Sequence, residues 1–228
     1  MSDRYYKSNG REYPSVTTIL SCLDKPALLM WAVKSTVEYL FDHAEELAGE
    51  RDEANTKRII KESKDAHKVI SQEAMDIGTR THNAVECFLK NIPHTIDKDI
   101  EKPYWACITW LTDNDFHLIS SEQSVYNHKC GYAGTQDLKG TLNGKIYIID
   151  LKTSKGIWDE YKMQVSAYGN CEGNEDVEGI GILRLDKETG MPEWCDCTDG
   201  FEFHYAGFLS ALDIFYRYKA KKKLRLTA

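Results

Sequence analysis

No stretch of this sequence is apolar for more than a handful of residues. A bilayer-crossing helix needs ~20, so no transmembrane span is expected. No signal-peptide core follows Met1-Ser2-Asp3-Arg4, so export is not expected. No CxxC pair occurs. The seven cysteines (Cys22, Cys87, Cys107, Cys130, Cys171, Cys195 and Cys197) form an odd, scattered set. Without an export signal they read as reduced thiols in a cytoplasm. Cys195 and Cys197 flank a single residue, a poor chelate arc for zinc. Together with Cys22 and Cys171 they lack the run of cysteines that an iron–sulfur cluster uses, so no cluster is expected. There is no internal repeat, no low-complexity segment, no Gly/Ser linker and no Walker A phosphate loop, which excludes a built-in ATP motor of that type. Positive charge is also short. The 29 basic residues stand against 36 acidic ones, a formal net charge of −7, whereas a nucleic-acid binder is expected to be basic.

The 228 residues are 42% hydrophobic and 29% charged, a globular composition. A single domain over 1–228 is expected, with a helical part (1–115), a sheet-and-helix part (116–186), and a C-terminal helix with a basic tail (187–228). Residues 4–13 read as a hairpin around Asn9-Gly10. Leu28, Trp31, Ala32, Leu40 and Leu47 mark one or two helices through residue 48. Residues 50–72 read as a charged, solvated helix or arm, and residues 73–90 as a separate, better anchored helix using Ala74, Ile77, Ala84, Val85 and Phe88. A short helix with Trp105 and Trp110 follows at 101–113. Strands are expected at 116–126, 132–141, 145–152 and 179–186, and helices at 159–170 and 201–219. The order predicts an α/β or α+β fold around a mixed sheet.

Asn143-Gly144 is a strong two-residue hairpin signal. If Leu142 faces Lys145 across it, Asp137 falls directly opposite Asp150, with Cβ atoms about 4.5–5.5 Å apart on one face. Facing like charges destabilise a sheet unless a cation lies between them, and hard oxygen ligands suit Mg²⁺ or Mn²⁺. Lys152, two residues on, projects from the same face, where an ammonium can stabilise charge on a phosphate. The Leu151 carbonyl is a further candidate ligand. The competing reading is a pair of sheet-end charges with a diagonal Asp137–Lys152 salt bridge. Gln164 and Tyr168 share a helix face at i,i+4 and suit phosphate or sugar contacts. His82 and Glu86 share another, and a neutral His82 can complete a metal shell. Glu122, in the strand before the hairpin, is a possible added carboxylate.

This ordered set resembles the PD-(D/E)XK nuclease superfamily, specifically its RecB-like exonuclease branch. The parts are His82, then Gly134-Thr135-Gln136-Asp137, then Asp150-Leu151-Lys152, then Gln164 to Tyr168. Tyr13-Pro14-Ser15-Val16-Thr17-Thr18-Ile19-Leu20, with Lys25-Pro26-Ala27-Leu28 and Trp31, is also similar to phage-encoded members and to the mitochondrial genome-maintenance exonuclease. Gln136 stands where proline is usual, a common departure in this branch. The branch's four-cysteine iron–sulfur spacing is not found. The resemblance implies a restriction-endonuclease-like core, a central mixed sheet flanked by helices with a helical N-terminal elaboration. It implies that Asp137, Asp150, His82 and the Leu151 carbonyl hold Mg²⁺ or Mn²⁺, that Lys152 helps position the attacking water, and that Gln164 and Tyr168 orient the strand at the scissile phosphate.

The expected function is metal-dependent DNA exonuclease activity on single strands or ends, in phage recombination, repair or genome processing, in the cytoplasm of a bacterial host. The alternatives are a structure-specific or nicking endonuclease of the same fold, or a non-catalytic DNA-binding or nuclease-inhibiting protein. DNA is the expected partner, with a recombinase or single-strand-binding protein as a further one and no membrane. Thr153, Ser154, Lys155 and Lys162 are expected near the bound strand, and Trp31, Trp158 and Tyr161 are stacking candidates. Arg217, Lys219, Lys221, Lys222, Lys223 and Arg225 form a basic tail that either stays solvated or meets phosphates. Lys152→Ala is expected to abolish cleavage with little loss of folding.

Overall fold

The computed structural model describes residues 3–49 and 52–226, with side chains through Tyr218. Two Asn-Gly pairs do what their chemistry requires. Asn9 and Gly10 have φ of 49° and 72°, and Asn143 and Gly144 have 51° and 81°, the left-handed pair that closes a two-residue hairpin with the right strand twist. The first turn joins β1 (Tyr5–Ser8) to β2 (Arg11–Pro14). The second joins β4 (Tyr132–Leu142) to β5 (Lys145–Lys152).

The chain divides into two compact units, Met1–Leu23 with Arg80–Ala228, and Asp24–Thr79; the sequence reading treats 1–228 as one domain. The smaller unit holds α2 (Pro26–Asp42), α3 (Ala44–Ala48) and the first part of α4 (Glu53–Leu89). Residues 53–72 and 73–89 are one continuous helix, not two, and residues 50–51 of the expected arm lie outside the described residues. Buried Ile59, Ser63 and Ala66 give its charged half a narrow inner stripe at helical spacing. Pairs such as Lys57–Glu53 and Arg58–Glu62 support its outer face. On α2, Leu29, Val33, Val37 and Phe41 recur at four-residue steps and are exposed.

The larger unit is built on a five-stranded sheet in the order β3-β4-β5-β6-β7, with β3 (His117–Asn127), β6 (Gly179–Leu185) and β7 (Pro192–Asp196) completing it. All neighbours are antiparallel except β5 and β6, which run parallel and are therefore linked by a crossover helix, α6 (Asp159–Gly169). Ile148, Ile180 and Ile182 join one buried cluster with Val16 and Ile19 of α1 (Val16–Leu20), Val165 of α6, and Phe208 and Leu212 of α7 (Phe201–Leu226). Ile149, Leu151 and Leu183, also buried, alternate to the opposite face. There α5 (Lys98–Asp113) packs on β6 and β7, with the Trp110 and Trp194 rings 4.9 Å apart. The molecule thus has the expected α/β plan, a mixed sheet flanked by helices.

Strand β7 is absent from the sequence reading. It is short, carries Pro, Cys and Asp, and owes its state to pairing along the edge of β6, where a leading proline is tolerated. The final helix continues to Leu226, so the backbone of the basic tail is helical, while its side chains from residue 219 lie outside the description. Among the described residues no helix is long and apolar enough to cross a membrane.

Candidate active site

The ladder between β4 and β5 starts at the turn with Leu142↔Lys145 and ends at Leu138↔Ile149. Asp137 and Asp150 are the next positions in that register, just past the last pair. Beyond them β4 and β5 part, and Ser15 bridges to Ala133 from the N-terminal side. The two aspartates therefore sit where the strands fork. Asp137 closes the fork, its Oδ2 accepting the Leu151 N–H at 2.7 Å. Leu151 itself is buried.

Asp150 shares its strand face with Ile148, toward α6. Its side chain is 1% exposed, and the Lys152 ammonium, 17% exposed, lies 2.5 Å from Oδ2. The ion pair is therefore Lys152–Asp150, not the diagonal Asp137–Lys152 bridge. Gln164 donates to Asp150 Oδ1 at 3.2 Å and to the Tyr168 hydroxyl at 2.9 Å. Both residues are buried, so their polar atoms meet each other and Asp150. Gly134 is what admits Tyr168: a Cβ there would lie 2.4 Å from Cε1 of the Tyr168 ring. On the other side of Lys152, the Tyr161 ring lies 4.9 Å from Nζ, a cation–π contact.

His82, on the last part of α4, places Nδ1 3.6 Å from Asp137 Oδ1 and 3.8 Å from Glu122 Oε1. One atom from each of His82, Glu122 and Asp137 lies within 4.8 Å of the others, the one such His/Cys/Asp/Glu group among the described residues. Asp150 stands outside it, next door. Glu122 reaches this position by an unusual backbone. Strand β3 shifts register between Leu118 and Ser120, and Glu122, opposite Asp137 but unpaired, has φ 49°. A left-handed acidic residue inside a strand is strained, and such strain clusters at functional sites.

The charges are set against one another. Burial disfavours the His82 cation, but the carboxylates of Asp137 and Glu122 outweigh it and raise the imidazole to about 10. Burial likewise opposes ionisation of Asp137, yet His82, Lys152 and the Leu151 N–H hold it below the usual carboxylate range. Burial pushes the Asp150 carboxyl up against the pull of Lys152. Burial works against the Lys152 ammonium, and the two aspartates overcome it and keep it protonated. A divalent cation beside Asp137 fits this set. Its donors, the Glu122 and Asp137 oxygens with the His82 imidazole once that ring gives up its proton, suit Mg²⁺ or, with the nitrogen, Mn²⁺.

Other residues named from the sequence have these surroundings. Glu86 is taken up by Lys90 and by the Ser121 hydroxyl, so it is not part of the metal group. Lys162 pairs with Asp159 at 3.0 Å. The Ser154 hydroxyl donates to the Gly156 carbonyl, and Thr153 is half-buried. Lys155 and Trp158 are exposed, while Trp31 meets His67 edge-on within the smaller unit. The Cys195 and Cys197 sulfurs are 3.9 Å apart, and all seven cysteines are free. Two residues that the sequence reading passes over border the fork: Tyr6, whose hydroxyl lies 2.8 Å from Thr135 Oγ1, and Arg4, whose Nη2 lies 3.5 Å from it. Only the proximity of an Asn-Gly hairpin hinted at them.

No protein-family model and no curated protein matches the sequence. Among solved structures, the chain is similar to an alkaline exonuclease (LHK-Exo) from Laribacter hongkongensis, at 13% identity and a TM-score of 0.35 over 65% of this chain and 86% of that one. It is similar to LHK-Exo in complex with dAMP at 13% identity and a TM-score of 0.33, over the same shares. At this level the likeness is slight.

Proposed function

We propose that this protein is a metal-dependent deoxyribonuclease of the PD-(D/E)XK type, acting as an exonuclease on single-stranded DNA or DNA ends. The observation that carries the reading is the fork. His82, Glu122 and Asp137 converge on a space within 4.8 Å, and a buried Lys152–Asp150 ion pair stands beside it. The resemblance of the motifs around these residues to the RecB-like branch supports the same reading. His82, Asp137 and Glu122, with Asp150 and the Leu151 carbonyl, would hold Mg²⁺ or Mn²⁺. Such an ion, when bound, neutralises charge on a phosphate and lowers the pKa of a water.

The protein's own groups supply the rest. Lys152 stays protonated beside Asp150 and presents a desolvated ammonium, which stabilises the charge that builds on the phosphate and fixes a water nucleophile. Gln164 and Tyr168 act through Asp150, holding one carboxylate oxygen so that its orientation survives substrate binding. Lys155, Thr153 and Ser154 follow the Asp150-Leu151-Lys152 strand directly in sequence, which supports a role for them at the DNA backbone. Use in phage recombination or repair, in a bacterial cytoplasm and beside a recombinase or single-strand-binding protein, belongs to the same proposal.

The test uses end-labelled linear and circular single-stranded DNA with Mg²⁺, Mn²⁺ or EDTA. Metal-dependent loss of linear DNA with circles intact is the expected result. Cut circles would make the protein an endonuclease. Binding without metal-dependent cleavage would make it a non-catalytic DNA-binding protein.

A further inference from the structure

The β1–β2 hairpin is fastened to the larger unit at several points. Ser8 Oγ lies 3.0 Å from His128 Nε2, whose Nδ1 lies 2.6 Å from Glu172. Tyr6 and Tyr13 meet the Tyr126 ring edge-on. At the hairpin's open end, Arg4 is held by its backbone: its N–H donates to Thr18 Oγ1 at 2.9 Å, and its carbonyl accepts from Ser15 N at 2.9 Å. Its exposed guanidinium reaches Thr135 Oγ1 and lies 4.9 Å from the Tyr6 ring centroid. These partners are neutral. Among the described residues no carboxylate lies within ion-pair distance of Arg4, although the chain carries an excess of acids.

An arginine with a fixed backbone, a fixed ring beneath it and free donors is organised for an anion, because a planar guanidinium binds phosphate through paired N–H groups. Its position says which anion. Thr135 is two residues before Asp137 on β4, and positions two apart on a strand are separated by about 7 Å. That is of the order of the step between neighbouring phosphates of an extended nucleic-acid strand. Tyr6 bonds to Thr135, the neighbour of Gly134, against which the Tyr168 ring packs, and the Tyr168 hydroxyl is bonded to Gln164, so the hairpin borders the same fork as Asp150.

We infer that Arg4, Tyr6 and Thr135 form a phosphate-binding subsite that grips the DNA strand one nucleotide away from the phosphate being cut. The inference rests on the nuclease reading. Arg4 supplies the charge, Tyr6 and Thr135 hold its orientation, and the ligand is either a terminal 5′-phosphate or an internal phosphodiester.

The experiment compares wild type, Arg4→Gln and Arg4→Lys on linear single-stranded oligonucleotides with a 5′-phosphate or a 5′-hydroxyl. Cleavage is followed with Mn²⁺, and binding by fluorescence anisotropy in EDTA across a salt series. Arg4→Gln should raise KM about tenfold with kcat within about twofold, the size of one lost charge-assisted contact. The slope of log affinity against log salt should fall by ~0.7, the value for one phosphate contact on a single strand. Arg4→Lys should restore the slope and only part of the KM. Loss confined to the 5′-phosphorylated substrate assigns a terminal phosphate, and equal loss on both assigns an internal one. Arg4→Gln with an unchanged KM and salt slope, beside a wild type that binds and cuts, overturns this subsite alone. A wild type that neither binds nor cuts overturns the nuclease reading and the subsite with it. Thermal melts separate both from misfolding, since Arg4→Lys keeps the backbone bonds of residue 4.

Discussion

Gly134 and Tyr168 occupy one another's space, and a single methyl decides between them. In Gly134→Ala the new Cβ meets the Tyr168 ring at 2.4 Å. The ring must move and take its hydroxyl from Gln164. The expected outcome is a loss of about 1–3 kcal/mol in denaturant unfolding, with cleavage lowered further than the stability loss explains, because Asp150 loses its orienting amide. Lys152 is the second residue at which the structure revises an expectation. The sequence reading has Lys152→Ala folding almost normally. Asp150 is 1% exposed and Lys152 is its cation, so the variant leaves a buried carboxyl without one. That costs about 3 kcal/mol near neutral pH. The sign with pH follows from burial, which raises the Asp150 carboxyl above its ordinary value. A group whose folded pKa is raised contributes fully below its unfolded pKa and loses that contribution as pH rises through the folded one. The deficit of Lys152→Ala relative to wild type should therefore be small near pH 4 and grow toward pH 7 in urea melts. A deficit that stays constant with pH would contradict the buried pair.

Strand β3 shows how an element trades regularity for a site. Its register shift near Leu118 and the left-handed Glu122 break the ladder opposite Asp137, and the carboxylate is thereby available to His82. Glycine adopts that backbone without strain. Glu122→Gly should therefore raise the metal-free melting temperature, by an amount matching about 1 kcal/mol. The same variant should show a smaller Mn²⁺-induced rise than wild type, since an ion bound only by the native state stabilises in proportion to its affinity. An undiminished Mn²⁺ shift would remove Glu122 from the site, and a metal-free loss of stability would show that its contact with His82 outweighs the backbone strain. The β4–β5 hairpin was legible because its turn and its register are local. The Asn143-Gly144 chemistry and the period of two place Asp137 against Asp150 without reference to the rest of the chain. Strand β7 was not, because its state depends on an edge of β6 that no nearby residue announces.

Across the whole molecule, net charge is an average over unlike regions. The −7 balance counts against the proposed nucleic-acid substrate only if charge is averaged. Some of the acids lie at the fork, while among the described residues Arg4 has no carboxylate partner on its border. Much of the remaining charge is neutralised in pairs along α4, such as Lys57–Glu53 and Arg58–Glu62, and surface pairs of that kind reveal little about partners. The same long helix misled the reading of 50–90 as two elements, since a stripe as narrow as Ile59, Ser63 and Ala66 barely registers against a charged background.

The sequence by itself determined the turns, the alternation of the strands, the register that brings Asp137 and Asp150 to the end of the β4–β5 ladder with Lys152 beside Asp150, and the α/β plan, because each depends on residues within a few positions of one another. Only the tertiary structure decided which side chains join them. His82, Glu122, Asp137, Asp150 and Gln164 come from five separate elements, and Arg4 and Tyr6 from the first few residues. It also gave Glu86 and Lys162 partners of their own, Lys90 and Asp159. The physical reason is that contacts between distant segments are selected by packing of the whole core, which leaves no mark in local spacing.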